Sequence, residues 1–280
     1  MEILDGKQTA KNIREKLRLE SDELKKQGII PKLAVIMVGD NPASKIYVRN
    51  KNKACEECGI EFEEYLLDGD ISQEKLLDLI DSLNNKKDVH GILLQSPIPD
   101  HLDINEAFLK IDPSKDVDGF NPINVGKLCI GQDSFISCTP YGVIKLLEAY
   151  DIDMEGKNAV VLGRSNIVGK PMIQCLLNKN ATVTVCHSRT KNIEEITKRA
   201  DIIISAIGKA EFVKADMVKD GAIVVDVGIN RGEDGKIKGD VDFENVSKKC
   251  SYISPVPGGV GPMTIAMLMN NVVKAAKNEL

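Results

Sequence analysis

The sequence predicts an α/β protein of two domains, each built on a mostly parallel sheet, and three observations carry that prediction. Strand-like apolar runs alternate with amphipathic helical stretches along all 280 residues, the pattern of parallel strands flanked by helices. The stretch 112–138 interrupts this alternation with Pro113, Gly119, Pro122, Gly126 and Gly131, punctuation that marks a boundary. Beyond it, V-L-G-R-S-N-I-V-G-K-P (161–171) sets a strand, a glycine turn and a helix start in succession, the arrangement that receives a nucleotide phosphate. The expected domains are 1–138 and a Rossmann-like 139–264, with the final helix, 265–280, packing back on the first.

In chain order, a helical pattern over 7–27 precedes a strand at Lys32–Val38. A helix over 43–58 leads to a strand at Glu61–Leu67, and a helix over 73–83 to a strand at 89–95. After the loop-rich boundary, a helix over 139–150 opens a second alternation with strands at Asn158–Leu162, Thr182–Cys186, 201–206 and 222–227. The last helix, 262–277, starts at Pro262 and is rich in Met and Ala, since proline suits a helix's first turn.

Composition narrows the function classes. Hydrophobic residues are 42% and charged residues 28%, a soluble globular profile. The net charge of −5 comes from mixed signs without a basic stripe, and no apolar run reaches a membrane span, so neither nucleic acid nor membrane is expected as a partner. The N-terminus, M-E-I-L-D-G-K, has no signal-peptide pattern, and seven scattered cysteines are an odd count, which together predict a reducing, cytoplasmic setting. Cys55 and Cys58 form a C-x-x-C inside a helical pattern with no second pair; they read as buried thiols rather than a redox or zinc pair. His90, His101 and His187 make no metal-ligand spacing, so no metal is expected.

One lysine is out of place. Wound at about 100° per residue, the helix over 43–58 gathers Ser44, Tyr47, Val48, Lys51, Ala54, Cys55 and Cys58 on one face, while Lys45, Arg49, Asn52, Lys53, Glu56 and Glu57 take the other. Lys51 sits mid-face, four residues after Tyr47, so both side chains can reach one spot. Either it snorkels to water, or it points into a cleft where an amine can move protons. Two segments are candidates to share that cleft. Gln95 ends the apolar strand G-I-L-L-Q-S-P-I-P, and ligands collect at strand carboxyl ends; it also reads as an ordinary strand-end glutamine. In K-D-V-D-G-F-N-P (115–122), Asp116 and Asp118 precede a glycine turn. Both fit backbone capping, and either fits a ligand acceptor.

The second half reads as the cofactor end. In V-L-G-R-S-N-I-V-G, Gly163 and Gly169 are retained but Ser165 stands where the common dinucleotide fingerprint has its middle glycine. After Thr182–Cys186, where NAD enzymes place an acidic residue for the ribose, this chain has His187, Ser188 and Arg189, with Arg164 in the glycine turn. That cationic, hydroxyl-bearing set suits a 2′-phosphate and hence NADP; a solvated loop is the plainer alternative. The strands at 201–206 and 222–227 run into Ile207-Gly208-Lys209 and Gly228-Ile229-Asn230, whose glycines let a flat ring approach the backbone. S-P-V-P-G-G-V-G-P-M-T (254–264), with three prolines and three glycines including Pro257, Gly258 and Gly259, is a pre-shaped loop suited to close approach by a ligand.

Taken together, S-K-I-Y-V-R-N-K-N-K-A-C, G-I-L-L-Q-S-P-I-P, K-D-V-D-G-F-N-P-I-N-V-G, G-R-S-N-I-V-G-K-P and P-V-P-G-G-V-G-P-M-T resemble, in order and over the whole chain, the bifunctional methylenetetrahydrofolate dehydrogenase/cyclohydrolase family, FolD. The resemblance implies NADP-dependent oxidation of 5,10-methylenetetrahydrofolate to the methenyl cation, then hydrolysis to 10-formyltetrahydrofolate, in a cleft between two α/β domains of a homodimer. It implies that Lys51 is the catalytic lysine, Tyr47 packs on the folate ring, Gln95 supports Lys51 and Asp118 hydrogen-bonds the pterin. It further implies that Gly163, Arg164, Ser165, Ser188 and Ile229 hold the dinucleotide, and it places Pro257, Gly258 and Gly259 at the substrate. One departure stands out: the family often has leucine after the glutamine, where this chain has Ser96.

Overall fold

The computed structural model describes residues 1–232 and 235–278. The first half runs β1 (Glu2–Ile3), α1 (Gly6–Lys26), β2 (Lys32–Val38), α2 (Pro42–Cys58), β3 (Glu61–Leu67), α3 (Gln73–Asn85), β4 (Gly91–Gln95), α4 (Ile104–Lys110) and α5 (Pro122–Cys129). The second runs α6 (Cys138–Ala149), β5 (Asn158–Leu162), α7 (Gly169–Leu177), β6 (Thr182–Cys186), α8 (Ile193–Thr197), β7 (Ile202–Ser205), β8 (Ile223–Asp226), β9 (Asn230–Arg231), β10 (Ile237–Lys238), α9 (Phe243–Val246), β11 (Tyr252–Ile253) and α10 (Val260–Lys277). The chain forms two compact units. Lys11–Ile136 cluster with the chain from Ile265 onward, and Met1–Ala10 with Ser137–Thr264.

The unit holding Lys11–Ile136 is built on a parallel sheet of order β3-β2-β4, in register Leu33↔Phe62 and Leu33↔Gly91. All five residues of β4 and six of the seven in β2 are buried, the continuous apolar run expected of a covered parallel strand. Ala34, Ile36 and Val38 meet Leu76, Ile80 and Leu83 of α3 and Ile92 and Leu94 of β4 in one core. Asn271 of α10 donates to the Val117 and Ile136 carbonyls, at 2.8 and 3.1 Å, tying the last helix to this core. The stretch read as loop contains α5. Pro122, which read as punctuation, instead opens this helix: it occupies the first turn, where its missing N–H costs nothing, and the Asn121 side chain before it accepts from Ile123 N–H at 2.9 Å.

The other unit carries a six-stranded parallel sheet, β1-β11-β8-β7-β5-β6. Counting from β5, the order is 2-1-3-4-5, with β1 added at the far edge by pairing Glu2↔Tyr252 and Ile3↔Ile253. The chain therefore reverses direction of travel at β5, and the carboxyl ends of β5 and β7 form the switch point where open α/β sheets bind ligands. Val160, Leu162, Ile203 and Val224 are fully packed in its core. Two-residue strands such as β1 and β11 carry no periodicity, so only pairing across the fold reveals them.

Candidate active site

Local sequence builds one cluster of candidate residues around α2. Asn41 accepts from Ala43 N–H at 2.9 Å and Ser44 N–H at 3.2 Å, Pro42 occupies the first turn, and Gly59 at φ 68° ends the helix. These caps orient a helix whose Ser44, Val48, Ala54, Cys55 and Cys58 are all buried, while Tyr47 remains 45% exposed. Lys51 lies between them, half-buried, and its Nζ donates to Gln95 Oε1 at 2.8 Å. Gln95 is buried at the end of β4, and its Nε2 donates to the Ser96 carbonyl at 2.5 Å. That second bond turns Oε1, the acceptor, toward the lysine. Because Ser96 participates through its backbone, the departure from leucine leaves this bond intact.

The two aspartates of K-D-V-D-G separate cleanly. Asp116 is 2% exposed, and its carboxylate accepts from Phe120 N–H, Asn121 N–H and Asn124 Nδ2 at 3.1, 2.8 and 2.9 Å. Burial pushes its pKa up to about 6, against the pull of those donors. It organises the turn into α5. Asp118 is half-exposed on the same turn, which leaves it as the member of the pair able to meet a ligand. Cys55 and Cys58 are free, buried thiols. Desolvation raises both, Cys58 to about 12, which disfavours a reactive thiolate. Among the described residues no group of three His, Cys, Asp or Glu could hold a metal ion.

A separate pocket lies at the switch point of the six-stranded sheet. It has a volume of about 590 Å³ and is lined by Gly163, Arg164, Ser165, Ser188, Lys209 and Phe212, among others. The glycine turn admits no larger residue. Gly163 has φ +117°, and a Cβ on it would lie 2.3 Å from the Ala206 carbonyl oxygen; a Cβ on Gly169 would lie 2.6 Å from Arg164 Cα. Ser165, in place of the middle glycine, has a distinct job. Its Oγ accepts from Val168 and Gly169 N–H at 3.2 and 3.3 Å, capping α7, whose N-terminus attracts anions. His187 closes a tight turn, its Nδ1 accepting from Arg189 N–H at 3.2 Å and its N–H donating to Thr190 Oγ1 at 2.9 Å. Ser188 and Arg189 project from that turn, exposed.

Among the described residues no carboxylate lines the pocket, while Arg164 and Lys209 both do. Backbone glycine cradle, helix N-terminus and cations without an acid are the donor set a phosphorylated dinucleotide needs. Ile229, 54% exposed, stands on the loop after β8 and is not among the pocket's lining residues. Pro257 is exposed, and Gly258 and Gly259 are buried; the Gly258 carbonyl accepts from Lys7 N–H at 3.1 Å. Phe212 and Ile193 line the pocket without any sequence signal. They are single apolar residues from separate elements, and only the fold groups them.

Gly169→Ala tests the turn. The inserted methyl must push backbone rather than a flexible side chain, so the thermal midpoint falls by on the order of 5 °C. An unchanged midpoint would show slack where the structure has contact.

Comparison with known proteins fits this geometry. Residues 4–118 match the model of the tetrahydrofolate dehydrogenase/cyclohydrolase catalytic domain, and residues 137–280 that of the same family's NAD(P)-binding domain. Bifunctional protein FolD of Campylobacter hominis is 57% identical over 280 residues, covering 100% of this chain and 99% of that one. The crystal structure of bifunctional FolD from Campylobacter jejuni superposes with a TM-score of 0.99 at 59% identity, covering 100% of both chains. The Trypanosoma brucei methylenetetrahydrofolate dehydrogenase-cyclohydrolase, solved with NADP cofactor and an inhibitor, superposes with a TM-score of 0.94 at 38% identity, covering 99% of this chain and 97% of that one. With both domain models matched and relatives of this identity spanning its full length, the chain belongs to the tetrahydrofolate dehydrogenase/cyclohydrolase (FolD) family.

Proposed function

We propose that the protein performs two successive reactions on one folate. It oxidises 5,10-methylenetetrahydrofolate to the 5,10-methenyl cation with NADP, and it then hydrolyses that cation to 10-formyltetrahydrofolate. The observation that carries this reading is the Lys51 Nζ–Gln95 Oε1 hydrogen bond at 2.8 Å, an amine fixed on an otherwise apolar helix face. NADP, when bound, accepts the hydride leaving the methylene carbon. The chain's own contribution to that step is positioning, because the ring nitrogens already stabilise the cation. Tyr47 offers its exposed ring as a platform for the folate ring, and Asp118 accepts from the pterin.

Hydrolysis asks more of the protein. Water adds to the methenyl carbon, one carbon–nitrogen bond of the five-membered ring breaks, and one proton is released overall. Lys51 takes the proton of the attacking water and passes one to the departing ring nitrogen, with Gln95 keeping Nζ in place between the two transfers. Gly163, Arg164, Ser165, Ser188 and Ile229 hold the dinucleotide. Arg164 and Ser188 select the 2′-phosphate, while Pro257, Gly258 and Gly259 border the substrate. The scattered free cysteines and the family resemblance support a cytoplasmic homodimer. Among the described residues no helix is long and apolar enough to cross a membrane.

The test is an absorbance assay with 5,10-methylenetetrahydrofolate and either NADP or NAD, run beside hydrolysis of methenyltetrahydrofolate. Activity in both with NADP preferred is expected. Hydride transfer without hydrolysis would remove Lys51's proposed role. Asp118→Asn should raise the folate KM about tenfold, the scale of one charge-assisted hydrogen bond, with NADP binding unchanged. An unaltered folate KM would take Asp118 out of the site.

A further inference from the structure

Two buried carboxylates lie behind the dinucleotide pocket, outside every role assigned above. Asp226 ends β8 and is 3% exposed; Asp240 follows β10 and is fully buried. The Asp240 carboxylate accepts three consecutive backbone N–H groups from the loop after β7: Ile207 at 2.8, Gly208 at 3.2 and Lys209 at 2.9 Å. It also accepts from Ser205 Oγ at 3.3 Å and from Asn230 Nδ2 at 3.0 Å. Ile207 and Lys209 line the pocket, and Asn230 adjoins Ile229. Asp226 in turn holds Asp240. Its carboxylate accepts from Asp240 N–H at 2.9 Å, Val241 N–H at 2.8 Å and Gly228 N–H at 2.9 Å.

The packing around the pair has no slack. A Cβ on Gly228 would lie 2.1 Å from Asp240 Oδ1, and one on Gly239 would lie 1.9 Å from Asp226 Oδ2. Two negative charges this deeply buried oppose folding unless donors surround them. Six of the eight donors named here are backbone amides, and four of those, from Ile207, Gly208, Lys209 and Gly228, belong to the loops after β7 and β8. Ordinary strand-end loops satisfy their amides with water; these are bound to fixed carboxylates instead. The result is two loops, from different strands, whose backbone conformation is set by one interlocked pair.

We propose that Asp240, itself held by Asp226, is a positioning residue for hydride transfer: it locks the loops 206–209 and 228–230 in the shape that seats the dinucleotide. This rests on the reading of that pocket as the NADP site. A cation-bearing loop held this way presents Lys209 and the backbone in a fixed register, which is the condition for rapid transfer between two bound rings.

The experiment is Asp240→Asn in the full-length protein, assayed for both activities and for NADP binding by calorimetry. The amide replaces one accepting oxygen with a donor facing backbone N–H groups, so the loop must shift. The expected result is a fall of about tenfold or more in dehydrogenase kcat/KM for NADP. Hydrolysis of methenyltetrahydrofolate without dinucleotide, which depends on Lys51, stays at the parent rate per folded molecule. Equal losses in both activities, tracking the folded fraction, would make the pair structural only and overturn the proposal. If Asp240→Asn does not fold, Asn230→Ala removes one donor from the same carboxylate at a partly exposed position and should raise the NADP KM several-fold; no change in that variant also overturns it. A parent protein that does not bind NADP, or whose binding ignores Arg164→Ala, would instead reject the pocket reading itself.

Discussion

Lys51→Met should hydrolyse methenyltetrahydrofolate about a hundredfold or more slowly than the parent, the scale of a lost general acid–base group. The variant isolates the amine. Methionine keeps the length and much of the volume of the lysine stem, and its neighbours on α2, Val48 and Cys55, are buried apolar residues. The helix is set by Asn41, Pro42 and Gly59, none of which the substitution touches, so the far-ultraviolet spectrum and thermal midpoint should hold. The hydride step depends on positioning rather than on proton transfer, so the dehydrogenase rate should fall less than the hydrolytic rate. The decisive number is the ratio of the two activities. A variant that hydrolyses at the parent rate shows that water is activated elsewhere, and Lys51 with Gln95 would then be only a packing pair.

Arg164→Ala should raise the KM for NADP by roughly ten- to a hundredfold, as expected for one charge-assisted contact to a phosphate, while the KM for NAD changes little. Among the described residues the pocket offers two cations, Arg164 and Lys209, and no carboxylate, so the parent should strongly favour NADP. Arg164 is exposed, and salt weakens its field. The discrimination should therefore shrink as ionic strength rises. Ser188→Ala should act in the same direction by a smaller factor, having lost a neutral hydroxyl. If NADP and NAD lose affinity together, Arg164 contacts a part the two cofactors share, and the source of discrimination must be sought at Lys209 or Arg189.

The strongest periodic segments were legible in the sequence to within a residue or two. β2, β3, β5 and β6 occupy the ranges that their apolar runs predict, and α2 buries the face that its helical wheel assigns, Tyr47 and Lys51 excepted. Pro122 was misleading because a proline that breaks a chain can also occupy the first turn of a helix. The choice between Asp116 and Asp118 was closed to sequence. Both precede the same glycine, and only the fold brings Asn124 onto one of them.

What the sequence determined by itself is therefore local: which stretches are strand or helix, which face of each is apolar, where glycine turns open a helix, and that one lysine violates its face. Period and propensity record these directly, because burial on one side of an element repeats with that element's own geometry. The tertiary structure alone decided which distant groups meet. Gln95 turns its acceptor to a lysine 44 positions away, β1 joins β11 across nearly the whole chain, and Asp240 gathers amides from a loop more than 30 residues before it. Such pairings leave no periodic trace. They exist because buried polar groups must find partners, and which partners are in reach depends on how the sheets are ordered.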